Sequence, residues 1–323
     1  MNLYPVIQIL ADGELHSGQE LAAALGVSRT AVWKQLQLLE SDYGLQMTAV
    51  RGQGYQLNYP LDLLDHDQMM KWLDPALQPG LTIQLEPVIT STNDTLMSMP
   101  PGKADFALCA AEMQTAGKGR RGRSWHSPFA SNLYFSLAFD LHGGGAAVDG
   151  LSLVAGLATA EALETLVQKS VTLKWPNDVW MADRKLAGVL VELQGEAQGG
   201  FRVVLGIGLN VYLTPEQGSV IDQPWTSLQQ HQAVPAGGRN RLLAVLLNHL
   251  LPCLNEFRKS GFAPFYQRWQ GLDALRDQPL MVPGQDLRGT GAGVDERGCL
   301  LLKTTDGLIT LNAGEVSIRR EQP

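Results

Sequence analysis

The hydrophobic rhythm of this chain changes character twice, and each change demands a different layer of structure. Over the first sixty residues, apolar positions recur at spacings of three and four, the period of amphipathic helices. The middle mixes apolar runs suited to strands with long helical stretches, and the tail breaks into short strands. A chain of 323 residues with three such regimes exceeds one average domain. Units are expected at 1–62, 63–272 and 273–323.

The head carries its own punctuation. Ser17, with Glu20 three residues on, reads as a capping box opening a helix over 18–25. Gly26-Val27-Ser28 reads as a tight turn whose serine caps a second helix from Arg29 to about Ser41, burying Val32, Leu36 and Leu39. An earlier helix containing Val6 to Leu10 is expected to end at Asp12-Gly13. Strands over 45–50 and 55–58, around a glycine-containing turn, complete a winged helix-turn-helix. Thr30, Trp33, Lys34 and Gln37 lie off the buried face, so they, with Arg29 and the wing's Arg51, are the candidate DNA-facing residues. Residues 1–60 hold three cations against five acids, so one head alone should bind DNA feebly. Two heads on a dimer would sum their contacts.

After Asn58-Tyr59-Pro60 a helical pattern over 67–73 begins the second unit. Strands are expected over 82–88, 106–112, 132–139, 171–175, 185–193 and 203–211. Helices are expected over 151–167 and 241–259, the latter interrupted by Pro252. Strands joined mostly by turns, with few helices, indicate α+β organisation. The tail reads as strands over 280–282, 287–293, 299–303, 308–311 and 316–319, a small β-barrel.

Composition narrows the class. Hydrophobic residues make up 45% and charged residues 18%, which supports a packed core and argues against disorder. The net charge of −7 makes generic nucleic-acid binding unfavourable, so any DNA contact must be local and specific. Cys109, Cys253 and Cys299 are widely spaced and lack ligand-spaced histidines, as expected of reduced thiols. With neither a secretory pattern nor an apolar run of membrane-spanning length, a cytoplasmic protein without membrane partners is expected.

The stretch Gly117 to Arg123, GKGRRGR, sets three glycines among four cations. It matches G-x-G-x-x-G, but that motif needs a following helix, and here another strand follows. The spacing is not that of a P-loop either. A solvated basic turn is the plain alternative. Against it, interspersed glycines let backbone N–H groups reach an anion while the cationic side chains close over it. This favours an anion-cradling loop.

Other polar clusters flank it. Ser91-Thr92-Asn93-Asp94 is either a binding cluster or simply a helix cap. Lys174-Trp175-Pro176-Asn177-Asp178 joins two strands and is richer than ordinary turn chemistry requires. Arg184-Lys185-Leu186-Ala187-Gly188 opens an apolar strand, where Lys185 either snorkels or meets an anion. Gly206-Ile207-Gly208-Leu209-Asn210 ends a strand with small residues that a ligand can approach.

In this order the motifs STN, GKGRRGR-x-W, KWPND, RKLAG and GIGLN resemble the biotin–protein ligase family. The winged head is similar to its bifunctional bacterial members, which also repress the biotin biosynthetic operon. The resemblance spans essentially the whole chain. It implies an N-terminal winged helix-turn-helix, a central mixed-sheet α/β ligase domain and a C-terminal SH3-like β-barrel. It departs at Lys118, where the family usually has arginine; that position is thought to act partly through its backbone, so the change should be tolerated.

Several roles follow from the resemblance. Ser91, Thr92, Asn93 and Gln114 would hydrogen-bond biotin. Lys118, Gly119 and Arg120 would cover it, and Lys185 would hold its carboxylate beside the ATP α-phosphate. Trp125 would stack on adenine with Asn210 nearby, Arg319 would reach the phosphates, and Arg123, Lys174 and Asn177 would complete the nucleotide site. Arg120, Lys185 and a Mg²⁺, whose ligands stay unassigned, would neutralise the charge that builds as two anions meet. Asp178 would help deprotonate the acceptor lysine, or only hold its turn. The implied partners are the biotin carboxyl carrier protein of acetyl-CoA carboxylase, operator DNA and, when adenylate-bound, a second copy of the chain. Two alternatives stand beside this reading: a lipoate- or octanoate-type ligase, and a transcription factor that senses biotin without catalysis.

Overall fold

The computed structural model describes residues 2–100, 104–141, 148–167, 169–196, 200–313 and 318–321. Helix α1 (Tyr4–Leu10) buries Val6, Ile7 and Leu10. Helix α2 (Gly18–Leu25) opens on the expected capping box: the Glu20 amide donates to Ser17 Oγ at 3.1 Å and the Ser17 amide to Glu20 Oε2 at 2.9 Å. Gly26, at φ 64°, ends it in the left-handed region where glycine carries no penalty. Ser28 then caps α3 (Arg29–Tyr43), which buries Val32, Leu36 and Leu39. Strands β1 (Met47–Val50) and β2 (Gly54–Leu57) pair antiparallel as the wing.

The head's core is completed from outside it. Phe129 and Ala130 are buried among Leu3, Val6, Leu36 and Leu39, and the Phe129 ring meets Tyr43 edge-on at 5.0 Å. The head is thus seated on the middle of the chain through the segment that follows the glycine-rich loop.

The middle begins with α4 (His66–Met70), shorter than the helix expected over 67–73 and capped by Asp65. Next come β3 (Leu81–Ile89), α5 (Thr92–Ser98), β4 (Phe106–Gln114), β5 (Leu133–Leu141) and α6 (Leu151–Leu166). They are followed by β6 (Val171–Lys174), β7 (Asp178–Met181), β8 (Arg184–Glu196) and β9 (Gly200–Leu209). Strand β7 was not expected; only its first residue, Asp178, belongs to the stretch read as a turn. Helix α7 (Gly238–Ser260) runs through Pro252 without the expected interruption. Leu250, Leu251, Cys253 and Leu254 are buried on either side of the proline, and tertiary packing outweighs the one backbone bond it removes. Helix α8 (Tyr266–Gly271) closes the unit.

The seven strands form one mixed sheet in the order β3-β4-β5-β9-β8-β7-β6, in which only β3 and β4 are parallel. Alternation along the strands separates two faces. Leu133, Phe135 and Leu137 of β5 join the main core with residues of α6 and α7. Ala138 of β5 and Val204 of β9 pack instead with Leu96 of α5. Ser136, Gly206 and Gly208 therefore lie on the α5 face, and this face carries the site.

The tail holds β10 (Pro279–Val282), β11 (Leu287–Val294), β12 (Leu300–Thr304), β13 (Gly307–Leu311) and β14 (Arg319–Arg320). They pair in the order β13-β12-β11-β10-β14, an antiparallel sheet. The expected closure into a barrel is not among these pairings. The strand expected over 316–319 is seen only from Arg319 onward; Val316 and Ser317 lie outside the described residues.

One buried ion pair joins these pieces. Arg239, at the start of α7, and Glu112, in β4, meet at 2.7 Å with side chains 0% and 2% exposed. The guanidinium also donates to the carbonyls of Asp62 and Asn132, and Glu112 accepts from the Leu64 amide. Removing one partner strands a buried charge. Arg239→Met is expected to lower unfolding free energy by about 3–5 kcal/mol, read by urea denaturation, whereas Arg239→Met with Glu112→Leu should recover much of that loss.

Candidate active site

The α5 face holds a cleft lined by residues from Ser91–Asn93, Gln114, Lys118–Arg120, Trp125, Asn177, Lys185, Gly188–Leu190 and Gly206–Gly208. Its polar end is built on the turn into α5. The Thr92 amide donates to Gln114 Oε1 at 2.9 Å, and Gln114 Nε2 donates to Ser127 Oγ at 3.1 Å. Ser136 Oγ stands 2.6 Å from both Thr92 Oγ1 and Asn93 Oδ1. Asn93 Nδ2 donates to Glu192 Oε2 at 2.7 Å. Ser91 is buried, yet its hydroxyl does not cap α5. The capping explanation of this cluster therefore fails for Ser91.

The glycine-rich loop closes one side. Its ends are held together where the Gly119 amide donates to the Arg123 carbonyl at 2.6 Å and the Trp125 amide to the Gly117 carbonyl at 2.8 Å. No helix of dinucleotide-binding length follows; Arg120–Gly122 makes one tight 3₁₀ turn, with Arg121 at φ 59°. Lys118 reaches back to an ion pair with Asp94 and lies 3.6 Å from Glu192. The hydrogen bond to Asp94 raises its pKa. The side chain of Lys118 is thus held between carboxylates, and its partners Asp94 and Glu192 escaped sequence reasoning.

Arg120 turns inward. It donates to Asn177 Oδ1 at 3.0 Å and to the Ala313 carbonyl of the C-terminal unit. Burial lowers its pKa, the neighbouring Asp178 carboxylate opposes that, and Arg121 and Arg123 add to it. Lys185 pairs with Asp178 at 2.7 Å, both side chains largely covered. The KWPND turn is built as one piece: Asn177 Nδ2 donates to the Val189 carbonyl at 2.8 Å, and Trp175 Nε1 to the Gly298 carbonyl at 2.9 Å.

Trp125 lies across the floor of the cleft. A Cβ on Gly208 would fall 2.3 Å from Trp125 Cε2, so only glycine lets the indole come this close. Lys185 Nζ sits 5.4 Å from the centroid of the same ring. The space remaining is about 50 Å³, against about 150 Å³ for a cavity that takes up benzene.

Not every candidate converges here. The side chain of Asn210 is buried and donates to the Thr226 carbonyl at 2.9 Å, holding a loop rather than facing the cleft. Arg123 and Arg319 are exposed outside the lining. Lys174 faces Trp180, 4.8 Å from its ring centroid, outside the lining as well. Ser127 and Ser136 were missed; the signal for Ser136 was a small hydroxyl within the buried run Leu133–Phe139 of β5. In the head, Arg29, Thr30, Trp33, Lys34, Gln37 and Arg51 are all exposed.

The chain matches the biotin/lipoate A/B protein ligase family over residues 85–210. A helix-turn-helix domain matches residues 3–56, and a biotin protein ligase C-terminal domain matches residues 280–319. The bifunctional ligase/repressor BirA of Escherichia coli (strain K12) is 41% identical over 320 residues, 97% of this chain and 96% of that protein. Its counterpart in Bacillus subtilis (strain 168) is 29% identical over 316 residues, 95% of each. Among solved structures, biotin protein ligase from Aquifex aeolicus in complex with biotin and ATP aligns with a TM-score of 0.64 at 28% identity, covering 74% of this chain and 99% of that one. The chain belongs to the biotin–protein ligase family, alongside its bifunctional ligase/repressors.

Proposed function

We propose that the cleft activates biotin with ATP to biotinyl-5′-adenylate and passes the biotinyl group to a lysine of the biotin carboxyl carrier protein of acetyl-CoA carboxylase. The observation that carries this is the convergence of Arg120 and Lys185 beside Asp178, next to a polar pocket built from Thr92, Asn93, Gln114 and Ser136. A carboxylate oxygen of biotin attacks the α-phosphorus, and the bond to the β-phosphate bridging oxygen breaks to release pyrophosphate. Two cations at that point offset the charge of the two anions as they meet. In the second step the acceptor amine attacks the carbonyl of the mixed anhydride, loses a proton, and AMP leaves. Asp178, engaged by Lys185, is our candidate to receive that proton.

The remaining assignments belong to the same reading. Ser91, Thr92, Asn93 and Gln114 bind biotin, and Lys118, Gly119 and Arg120 cover it. Trp125, Asn177 and Lys174 serve the nucleotide from the cleft and its margin, and Arg123, Asn210 and Arg319 do so from outside the present lining. For Mg²⁺, among the described residues no three acidic, histidine or cysteine side chains converge, so the ion is given no protein ligands and no step. The hydroxyl- and amide-rich end of the cleft suits the ureido head of biotin better than the alkyl tail of octanoate, which sets the lipoate-type reading behind. A sensor without catalysis has no use for paired cations at an α-phosphate.

The units at 1–62, 63–272 and 273–323 then divide the work between DNA, catalysis and closure. Among the described residues no helix is long and apolar enough to cross a membrane, and we place the protein in the cytoplasm. The adenylate orders the loop and favours a homodimer whose two heads read operator DNA, through Arg29, Thr30, Trp33, Lys34, Gln37 and Arg51.

Arg120→Gly should weaken retention of the adenylate roughly ten- to a hundredfold, as expected for lost charge-assisted hydrogen bonds. Blotting lysate for biotin should then show label on many proteins; label confined to the carrier would contradict the role of Arg120. Sedimentation with biotin and ATP should raise the dimer fraction, and equal monomer fractions with and without them would remove the proposed switch. Lys34→Ala should weaken DNA binding almost uniformly across sequences and lower the salt slope by about 1.

A further inference from the structure

Trp180 and Arg320 lie outside every role assigned above. Trp180 stands on β7, opposite Thr172 of β6 and Lys185 of β8. Two cations rest on its ring: Lys174 Nζ lies 4.8 Å and Arg320 Cζ 5.2 Å from the centroid, within the range of cation–π attraction. Arg320 is also tied by polar bonds, to Asp183 Oδ1 at 2.7 Å and to the Ala274 carbonyl. Asp183 sits in the turn between β7 and β8. Ala274 lies on the segment leaving α8, whose amide donates to the Leu173 carbonyl of β6 at 2.8 Å. One guanidinium thus joins the last strand, the junction between two units, and the β7–β8 turn.

The charge around it is lopsided. Lys174 is mostly enclosed, and burial pushes its pKa down. Asp178 opposes that push, while Lys185, Arg319 and Arg320 reinforce it. Among the described residues Lys174 makes no ion pair. Four cations, Lys174, Lys185, Arg319 and Arg320, therefore face three carboxylates, Asp178, Asp183 and Asp273, an excess of positive charge that suits an anionic ligand. Along a strand neighbouring side chains point to opposite faces. With Arg320 turned onto Trp180, Arg319 is turned outward, where it is exposed.

We infer that Trp180 is a positioning residue for the phosphates of ATP: its ring seats Lys174 and fastens β14 through Arg320, fixing where Lys174 and Arg319 meet the leaving pyrophosphate. This rests on the reading that ATP is the substrate. Trp180 itself touches no reacting atom. Biotin binds at the other end of the cleft, around Thr92 and Ser136, and its affinity does not depend on this seat.

The test uses the full chain, with pyrophosphate release for the ATP kinetics and calorimetry for biotin binding without ATP. Trp180→Leu should raise KM for ATP about tenfold, the scale of one desolvated cation–ring contact, and leave the biotin Kd within about twofold. Trp180→Phe keeps an aromatic face and should restore KM to within about threefold of the unaltered protein. Arg320→Ala should reproduce the effect of Trp180→Leu, and the double variant should be no worse than the worse single one. Phe rescuing no better than Leu, or an unchanged KM for ATP alongside a lower Tm, would overturn the inference. Should Trp180→Leu fail to fold, Arg320→Ala and Trp180→Phe decide between the same outcomes. Failure of the unaltered protein to release pyrophosphate with biotin and ATP would instead overturn the reading of ATP as substrate.

Discussion

A guanidinium and a carboxylate, both closed off from water, sit where three parts of this molecule meet. Such a pair gains little over an apolar contact of the same shape, because desolvation consumes most of the Coulomb attraction. What it provides is geometry. Arg239 fixes the first turn of α7 against the Asp62 and Asn132 carbonyls, and Glu112 fixes the Leu64 amide. The backbone of Glu112 also accepts from Ala130, in the segment that carries Phe129 into the head. The linker from the head, the central sheet and the start of α7 are therefore registered on one another by groups that cannot slip without leaving a charge unpaired.

The site uses the same logic with less burial. Each cation of the cleft has a carboxylate or carbonyl waiting for it: Lys118 with Asp94 and Glu192, Lys185 with Asp178, Arg120 with Asn177 and Ala313. These pairings keep like charges apart and hold the side chains near where an anion would meet them. Arg120 spans the greatest distance in sequence of these, 193 positions to Ala313, so its side chain ties the covering loop to the C-terminal unit.

What was legible in the sequence was what local chemistry decides. Ser17 with Glu20, Gly26 with Ser28, and the wing hairpin each depend on neighbours a few residues away, and they folded as expected. The glycine-rich loop was separated from a dinucleotide fold by the same kind of evidence, the absence of a helix after it. Strand β7 was missed because its four residues begin at the end of a Pro-Asn-Asp turn. Pro252 was overread, since local strain gave way to burial on both sides. The partners of Lys118, Arg239 and Trp180 were out of reach: Glu192, Glu112 and Arg320, respectively, lie far from them in sequence, and only the tertiary fold brings them together. Asn210, at the end of a motif, has its side chain engaged by the Thr226 carbonyl, a partner that its sequence neighbours do not announce.

The position of Phe129 has a consequence for how this protein can be taken apart. Six residues after the loop ends, the chain hands an aromatic ring to the head, where it packs against Tyr43. Cutting the chain after the head would free no independent enzyme with a polar surface. It would leave Phe129, with Val88 and Met113 beside it, facing water as an apolar scar at the root of the loop that covers the site. The DNA-reading unit is thus less a module attached to a ligase than a cap screwed onto its side, and the thread is the segment that follows the glycine-rich loop.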